Sequence, residues 1–315
     1  MRIAALLPSA TEIVYALGLG DQLVAVTHEC DYPRDARSHA HVTRSLLPVG
    51  LASARIDRAV RDSRRDAHTI YALDAQRLIQ LAPDVVLTQS LCDVCAVPRS
   101  AVEDAVCSMP RGATVVSLDP HSLDEVLASI AGAGAALGVP ERAQRLIDGL
   151  RERIAAVRAA TEGRPRPRVF CCEWLDPIYC GGHWVPEQVR LAGGDDALGR
   201  EGEPSATAAW DDVVRCRPEV IVLMPCGFNA PQTAARLDEL AQRPAWDALP
   251  AVRAGRVFAV DGSAYFSRPG PRLVDGLELL ARIFHPDAST KPALEGAALQ
   301  LVSAPGAAPR FEPYR

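Results

Sequence analysis

Long apolar runs and an excess of positive charge are both missing from the sequence. No apolar run approaches the roughly 20 residues that a membrane-spanning helix needs. Lys and Arg number 34 against 39 Asp and Glu, which gives a net charge of −5. Nucleic-acid binding needs a basic face that neutralises phosphates, so we expect no nucleic-acid partner.

A secretory signal is not recognisable at the N-terminus either. Such a signal needs about 7–15 apolar residues before a small-residue cleavage site, and the run at 3–7 is shorter. We therefore expect the chain as it stands to be cytoplasmic, and periplasmic or at the cell surface if a leader has been removed. The nine cysteines are an odd number, which argues against a complete disulfide framework and favours reduced thiols.

One long helix is predicted over residues 138–163. Apolar residues recur there at the helical spacing i, i+3, i+4, i+7, while charged residues occupy the other face. Pro140 suits the first turn, and Gly163 and Pro165 end the helix. At about 1.5 Å per residue, a helix of this length is roughly 35 Å long, enough to brace a domain. The apolar stripe consists of Val139, Ala143, Leu146, Ile147, Leu150, Ile154 and Val157.

The segments on either side of this helix repeat one another. LAPDVVL at 81–87 matches CRPEVIV at 216–222, and each combines a helix end, a Pro–acid break and a buried strand. VVSLD at 115–119 likewise matches VFAVD at 257–261. Strands that alternate with helices indicate parallel sheets covered on both faces.

The predicted fold is therefore α/β, with two Rossmann-like lobes of parallel sheet joined by a single long backbone helix. We place the N-terminal lobe at 1–137, the connecting helix at 138–163 and the C-terminal lobe at 164–286. The tail at 287–315 is rich in Ala and Pro and is expected to add little to the core. SATE at 9–12 has the spacing of a capping box, with Ser9 as N-cap and Glu12 at N3. A further helix is predicted over 73–81.

The unusual residues of the sequence fall at the ends of the predicted strands. Ligands of open α/β sheets bind at the carboxyl ends of the strands, and two facing lobes would bring both sets of ends into one cleft. The first lobe offers the ligand-binding candidates Ser9, Thr11, His28, Glu29 and Gln89, and the second offers Glu173, Trp174, His183, Trp184, Phe228, Tyr265, Phe266 and Arg268.

Several motifs resemble those of class III solute-binding proteins, the helical-backbone receptors for vitamin B12, siderophores, haem and metal ions. The likeness covers about residues 2–286 and is strongest to the cobalamin-binding branch, the Fe/B12 periplasmic-binding-like domain. The matching motifs are LPSATE at 7–12, ALG at 16–18, DYP at 31–33, PDVV at 83–86 and YFSRPGPR at 265–272.

This resemblance implies a rigid two-lobe clamp that holds a cobalamin or a related corrinoid without changing it chemically. It implies no enzymatic activity, and an ABC permease as partner if the chain is exported. A cytosolic corrinoid carrier is the compatible version without export, and we expect a monomer. Under this hypothesis Trp174, Trp184, Tyr265 and Phe266 supply flat apolar walls for the corrin ring or its nucleotide base.

Other interpretations of the same residues stay open. The aromatic residues are alternatively part of the core. His28 and His183 are either metal ligands or hydrogen-bonded loop histidines. Arg268 either binds a phosphate or propionamide of the ligand or forms a surface salt bridge. Glu29 and Glu173 lie on different lobes with no nucleophile beside them, so acid–base catalysis is not expected.

The cysteines support a different class of function. Cys92 and Cys95 form a CxxC motif, and Cys30 and Cys226 could complete a thiolate site for zinc or iron. The alternative is that these thiols behave as small buried hydrophobic residues. A metal- or redox-dependent protein, or a siderophore, haem or metal receptor of the same fold, therefore stands beside corrinoid binding as an alternative.

Overall fold

The computed structural model describes residues 1–48, 50–65, 69–90, 97–288, 294–302 and 310–314. Its internal contacts divide the chain into two compact units. Unit 1 consists of Met1–Pro120 and Asp124–Leu150, and unit 2 consists of His121–Leu123 and Arg151–Arg315. The predicted α/β class with two lobes is confirmed, while the predicted boundaries at 137 and 164 stay predictions.

The helices and strands of unit 1 follow one another along the chain, with short 3₁₀ turns at Gly20–Gln22 and Arg34–Ser38. They are β1 (Ile3–Ala5), α1 (Pro8–Ala16), β2 (Leu23–Val26), β3 (Thr43–Ser45), α2 (Ser53–Arg65), β4 (Tyr71–Leu73), α3 (Ala75–Leu81), β5 (Val85–Thr88), α4 (Arg99–Cys107), β6 (Thr114–Ser117), α5 (Leu123–Ala136) and the first half of α6 (Pro140–Thr161).

The sheet of unit 1 is parallel throughout. Its strand order is β2-β1-β5-β6, and β3 and β4 form a separate antiparallel pair. Every residue of β1 and of β5 is buried, as expected for strands covered by helices on both faces. Fully burying a side chain such as Ile3 contributes about 1.5–3 kcal/mol to folding. Along the chain, β2 is added on one side of β1, and β5 and β6 are then added on the other side.

Two predictions for unit 1 are wrong in detail. Helix α1 begins at Pro8 with the extended Leu7 as N-cap, so Ser9 lies inside the helix and no side chain caps it. The fixed φ of proline suits the first helical turn, which moves the helix start ahead of Ser9. The helix predicted over 73–81 is instead β4 followed by α3. Asp74 caps α3 by accepting a hydrogen bond from the Arg77 amide at 2.9 Å.

The long connecting helix, α6, is confirmed at Pro140–Thr161. Four residues of its predicted stripe are buried, namely Ala143, Ile147, Leu150 and Val157. In unit 1, Arg142 Nη1 donates to the Leu17 carbonyl at 3.1 Å. In unit 2, Arg153 Nε donates to Glu278 Oε1 at 2.9 Å, and Arg153 Nη2 also bonds Asp275. Each half of the helix is therefore fixed to the unit to which it belongs.

Unit 2 contains the remaining elements, with 3₁₀ turns at Trp246–Ala248 and Pro286–Ala288. They are β7 (Arg168–Leu175), β8 (Ile178–Cys180), α7 (Val185–Leu191), β9 (Asp195–Asp196), α8 (Trp210–Cys216), β10 (Val220–Leu223), α9 (Ala230–Ala234), α10 (Asp238–Ala241), α11 (Pro250–Arg253), β11 (Val257–Val260), α12 (Gly262–Tyr265), α13 (Leu273–Phe284), β12 (Ala298–Val302) and β13 (Arg310–Pro313).

The sheet of unit 2 is mixed rather than purely parallel, and the tail is part of it. Strands β7, β9, β10 and β11 pair in parallel, whereas β8 pairs antiparallel with β7. β12 pairs antiparallel with β11, and β13 with β12. The expectation that the segment from 287 adds little to the core is wrong, because Leu301 is buried in the hydrophobic cluster of this unit. β12 therefore lies between β11 and β13 and is an inner strand of this sheet.

The internal repeat is reproduced in the strand registers. Val85 and Val220, the equivalent residues of the first repeat, pair with Ile3 in β1 and Val169 in β7. The order β9-β7-β10-β11 in unit 2 therefore corresponds to β2-β1-β5-β6 in unit 1. Each unit therefore has its own parallel core of four strands in the same order, and unit 2 adds antiparallel strands to its core.

The amino ends of the two cores also use the same hydrogen bonds. The Arg2 amide donates to Asp84 Oδ2 at 2.7 Å, and the Arg168 amide donates to Glu219 Oε2 at 2.9 Å. The helix before each Pro–acid break ends in a left-handed residue, Ala82 at φ 42° and Arg217 at φ 48°.

In the described part of the chain, no helix is long and apolar enough to cross a membrane.

Candidate functional site

A small pocket in unit 1 lies at the carboxyl ends of β1 and β2. The space inside it is about 210 Å³ and includes open solvent, so the pocket is a shallow recess rather than a cavity that encloses a small-molecule ligand. The recess can contact the edge of a ligand but cannot enclose its ring system. Residues from both strand ends and from neighbouring loops line it: Leu6, Pro8, Thr27, His28, Glu29, Thr43, Tyr71 and Val97.

The predicted residues His28 and Glu29 are brought together in this pocket by Tyr71 and Thr43. His28 Nδ1 lies 2.7 Å from Thr43 Oγ1, and the Tyr71 hydroxyl donates to Glu29 Oε1 at 2.8 Å. Burial lowers the pKa of the His28 imidazole, and the nearby Glu29 carboxylate partly opposes that effect. His28 Nε2 is buried without a hydrogen-bond partner among the described residues. The arrangement offers one neutral ring nitrogen and one carboxylate to a polar group.

The other predicted residues of unit 1 lie inside the unit. Ser9, Thr11 and Gln89 are all buried. Cys30 is 2% exposed, and its sulfur lies 3.0 Å from Thr11 Oγ1 and 3.1 Å from Thr27 Oγ1. The Cys30 thiol therefore joins α1 to the end of β2, which is a structural role for this cysteine.

A partly buried carboxyl group marks the carboxyl end of β7 in unit 2. Glu173 Oε1 accepts a hydrogen bond from the Gly182 amide at 3.0 Å, and Glu173 Oε2 accepts one from the Ser205 hydroxyl. Burial raises the pKa of Glu173 to about 7, and these hydrogen bonds oppose the rise only in part. Burial also raises the pKa of Asp196 to about 6. The Asp196 carboxylate adds to the rise in the pKa of Glu173, and the Asp195 carboxylate adds to the rise in the pKa of Asp196. Glu173 thus fixes the loops at 181–183 and 200–205 beside the strand end.

Two aromatic rings form a flat surface at the ends of β7 and β10. The rings of Trp174 and Phe228 are stacked, with centroids 5.7 Å apart and planes inclined by 28°. The Arg236 guanidinium lies 4.7 Å from the centroid of the Phe228 ring, a cation–π distance. Both rings are only partly buried. The surface, here called the Trp174–Phe228 face, can stack on a planar ligand.

The remaining predicted aromatic residues divide between core and surface. Trp184 is 5% exposed and Phe266 is 2% exposed, and the Trp184 indole donates to the Phe266 carbonyl at 2.7 Å. These two side chains therefore belong to the core of unit 2. Tyr265 and Arg268 are partly buried, and the Arg272 guanidinium lies 5.7 Å from the Tyr265 ring centroid.

His183 adjoins a second histidine that the sequence analysis did not single out. The ring centroids of His121 and His183 lie 5.7 Å apart. Burial lowers the pKa of His183, and the charge of His121 lowers it further. His121 directly follows the second repeat, so the same rule of strand ends that selected His183 also indicates His121. Arg236, Ser205 and Asp196 were missed as well, because Arg236 and Ser205 lie in loops and Asp196 in the short strand β9, all distant in sequence from the predicted strand ends.

The predicted cysteine site is not assembled in the described part of the chain. Cys226 is exposed, Cys30 is buried, and Cys92 and Cys95 lie outside the described residues. Among the described residues, no group of three or more His, Cys, Asp or Glu side chains is placed to hold a metal ion. Zinc or iron at the cysteines stays a prediction.

The sequence matches a known family and named relatives over most of its length. The family is described as "Periplasmic binding protein", and the match spans residues 3–264. A vitamin B12-binding protein of Vibrio cholerae is 26% identical over 281 residues, which are 88% of this chain and 86% of the relative. The ABC transporter substrate-binding lipoprotein YvrC of Bacillus subtilis is 28% identical over 294 residues, which are 91% of this chain and 80% of the relative.

Solved structures share the fold. The periplasmic vitamin B12 binding protein of Vibrio cholerae superposes with a TM-score of 0.66 at 24% identity, covering 92% of this chain and 98% of that one. The periplasmic heme-binding protein RhuT from Roseiflexus sp. RS-1 gives a TM-score of 0.68 at 24% identity, covering 91% and 99%. The resemblance that the sequence motifs indicated is thereby confirmed at the level of fold and family.

Proposed function

The chain belongs to the periplasmic binding protein family, and on that premise we propose that it binds a cobalamin-like corrinoid and releases it chemically unchanged. The observation that carries the proposal is the sequence likeness to proteins named vitamin B12-binding, which extends over 88% of the chain. Haem-binding proteins of this fold are similar in structure, but likeness of fold alone does not select a ligand.

The Trp174–Phe228 face supports a planar or ring-shaped ligand. Aromatic faces stack on flat apolar surfaces, and two offset rings 5.7 Å apart present a broad one. Arg236 lies over Phe228, and Arg268 is partly buried in the motif at 265–272. Guanidinium groups are the usual donors to phosphate and amide oxygens, both of which a cobalamin carries on its periphery. We therefore assign ring contact to the aromatic pair and peripheral contacts to the arginines.

The pocket of unit 1 supplies the polar part of the proposed site. This shallow recess can contact one edge of a ligand, and His28 and Glu29 offer hydrogen-bonding atoms there. That this recess and the Trp174–Phe228 face belong to one cleft between two lobes stays a prediction.

Binding without catalysis is consistent with the hydrogen bonding of the two predicted carboxylates. Glu29 is bonded by Tyr71, and Glu173 by Ser205 and the Gly182 amide. Each carboxylate is thus engaged in holding its own loop. Because one relative is named an ABC transporter substrate-binding lipoprotein, we extend the proposal to delivery of the ligand to an ABC permease outside the cytoplasm.

The proposal is tested by the absorbance spectrum of the purified protein before and after incubation with hydroxocobalamin and desalting. We expect a retained, shifted corrin band at about one ligand per chain. Haemin in a parallel incubation tests the second candidate, which the structural likeness to a heme-binding protein favours. Retention of haemin without retention of hydroxocobalamin would overturn the corrinoid proposal and leave a haem receptor.

A further inference from the structure

Two histidines that are distant in sequence meet in unit 2. His121 follows β6 and His183 precedes α7, yet their ring centroids are 5.7 Å apart with planes inclined by 32°. His121 is exposed and His183 is partly buried, so the pair is open to solvent on one side. We propose that His121 and His183 together bind one divalent transition-metal ion of the zinc, nickel or copper type.

The separation of the two rings fits ligation of a common ion. A metal–nitrogen bond of about 2.0–2.1 Å places an imidazole centroid about 3.2 Å from the metal. Two such rings are then roughly 5.2 Å apart at a tetrahedral angle and roughly 6.4 Å apart at a linear one. The observed 5.7 Å lies between these limits. Rotation about the broad imidazole torsion of exposed His121 can direct a ring nitrogen to the ion without moving the backbone.

The backbone at His183 is held in an uncommon conformation. Its φ is +50°, in the left-handed region that residues other than glycine seldom adopt. The His183 amide donates to the Glu203 carbonyl at 2.6 Å, and the His183 carbonyl accepts from Gly202 at 2.9 Å. The ring also lies 5.6 Å from the indole of Trp184, which is itself fixed in the core. Strain that the surrounding structure maintains is concentrated at functional sites.

The backbone near His121 is fixed to the same part of unit 2. The Leu123 amide donates to Glu187 Oε2 at 2.9 Å, and Leu123 is buried. Glu187 lies on α7, the helix that follows His183 directly. Both histidines are therefore held close together before any ion binds, which lowers the entropy cost of forming the site.

The chemistry of the pair selects the class of ion. Imidazole is a common ligand for zinc, copper and nickel, whereas calcium and magnesium prefer oxygen. Since no third His, Cys, Asp or Glu completes a metal-binding group among the described residues, water would fill the remaining positions. Bound metal would clamp the segment 121–123 to the loop at 181–184. This inference is independent of the proposed corrinoid binding.

Calorimetric titration of the untagged full chain with Ni²⁺ tests the pair. Cys92→Ser and Cys95→Ser are introduced first, in order to remove thiols that would compete for the ion. We expect one Ni²⁺ per chain, lost or weakened in His121→Ala and in His183→Asn. Even residues that only support a metal ligand contribute about 10–100-fold to affinity, so each variant should bind at least about ten-fold more weakly.

Asparagine is chosen at position 183 because it tolerates a left-handed backbone, so the loop is preserved. His39→Ala, in unit 1, is the matched control and should leave Ni²⁺ binding unchanged. The double variant should bind no more weakly than the weaker single variant, because both histidines share one ion. A Ni²⁺ affinity that falls less than about ten-fold in His121→Ala, or the absence of Ni²⁺ binding in the starting protein, would overturn the proposal.

Discussion

Units 1 and 2 each have a four-stranded parallel core of the same order, but they differ in the side chains at the carboxyl ends of its strands. The registers align Leu7 of unit 1 with Glu173 of unit 2, and Pro8 with Trp174. Unit 1 carries small hydroxyl and thiol groups that bond one another inside the protein. Unit 2 carries a stacked aromatic pair and a carboxyl group whose pKa burial raises to about 7.

The difference shows that the core fixes where chemistry can occur, whereas the loops decide which chemistry it is. In both units the residues after the equivalent strands are at the same place in the topology. In unit 2 the loops at 181–183 and 200–205 supply the Gly182 amide and the Ser205 hydroxyl, which bond the partly buried Glu173 at this place. Loops positioned by a rigid scaffold are the usual carriers of function.

The largest predicted effect is the loss of corrinoid affinity when the Trp174–Phe228 face of unit 2 is removed, compared with a substitution in unit 1. Trp174→Ala deletes one of the two stacked rings, and we expect corrinoid affinity to fall about 10–100-fold, the cost typical of a central aromatic contact. In unit 1, Tyr71→Phe removes only the hydroxyl that bonds Glu29 and should change affinity by less than about ten-fold. Titration of hydroxocobalamin followed by absorbance measures both.

Phe311→Ala is the control for the loss of an aromatic side chain in unit 2. Phe311 pairs with Leu301 near the amino end of the sheet and packs against the same hydrophobic cluster. Its loss should lower thermal stability while leaving corrinoid affinity unchanged. Equal losses of affinity in Trp174→Ala and Phe311→Ala would show that Trp174 acts only through stability.

The partly buried Glu173 should make the stability of the protein depend on pH. The pKa of Glu173 is raised from 4.5 to about 7, so its contribution to stability is fully present below 4.5 and is lost as pH rises through about 7. Glu173→Gln removes this titration. As the pH rises from 5 to 8, the unfolding free energy of the variant minus that of the wild type should increase by about 1–2 kcal/mol.

Urea unfolding at several pH values measures this difference. Asp196, His183 and His285 titrate as well, so the informative quantity is the variant minus the wild type at each pH. A difference that stays constant from pH 5 to pH 8 would contradict the role given to Glu173.

The smallest predicted effect is a loss of stability that should be equal in the two units. Asp84→Ala removes the carboxylate that accepts a hydrogen bond from the Arg2 amide, and Glu219→Ala removes the one that accepts from the Arg168 amide. Each substitution should lower the unfolding free energy by about 1 kcal/mol, the usual net contribution of such a bond. Faster amide exchange at Arg2 and Arg168 measures the loss locally. An effect in one unit only would break the structural equivalence of the repeats.

Much of the fold could be predicted because it depends on periodicity and breaks. The stripe of α6, the Pro–acid breaks and the buried strands β5 and β10 all rest on local patterns, and the structure has them. The tail strands could not be predicted in the same way. Ala298–Val302 is a weak strand by composition and is stabilised by pairing with β11, a contact distant in sequence.

The candidate site was less predictable, because position at a strand end does not fix the direction of a side chain. Trp174 lies at the end of β7 and Trp184 follows β8, yet Trp174 is partly exposed and Trp184 is buried against Phe266. Similarly, Ser9 is predicted to be the N-cap of a helix, but the helix begins at Pro8, and both Ser9 and Thr11 are buried. Such directions depend on tertiary packing that a single sequence does not display.

The pairing of β12 with β11 has a consequence for the order in which the protein folds. Residues 298–302 cover the side of β11 that would otherwise present unpaired backbone groups. Open strand edges readily pair with other chains. During synthesis, unit 1 can complete its parallel sheet once β6 has emerged, whereas unit 2 must wait for a segment made much later. Until that segment has been made, the newly made β11 stays open on one side to pairing with another chain.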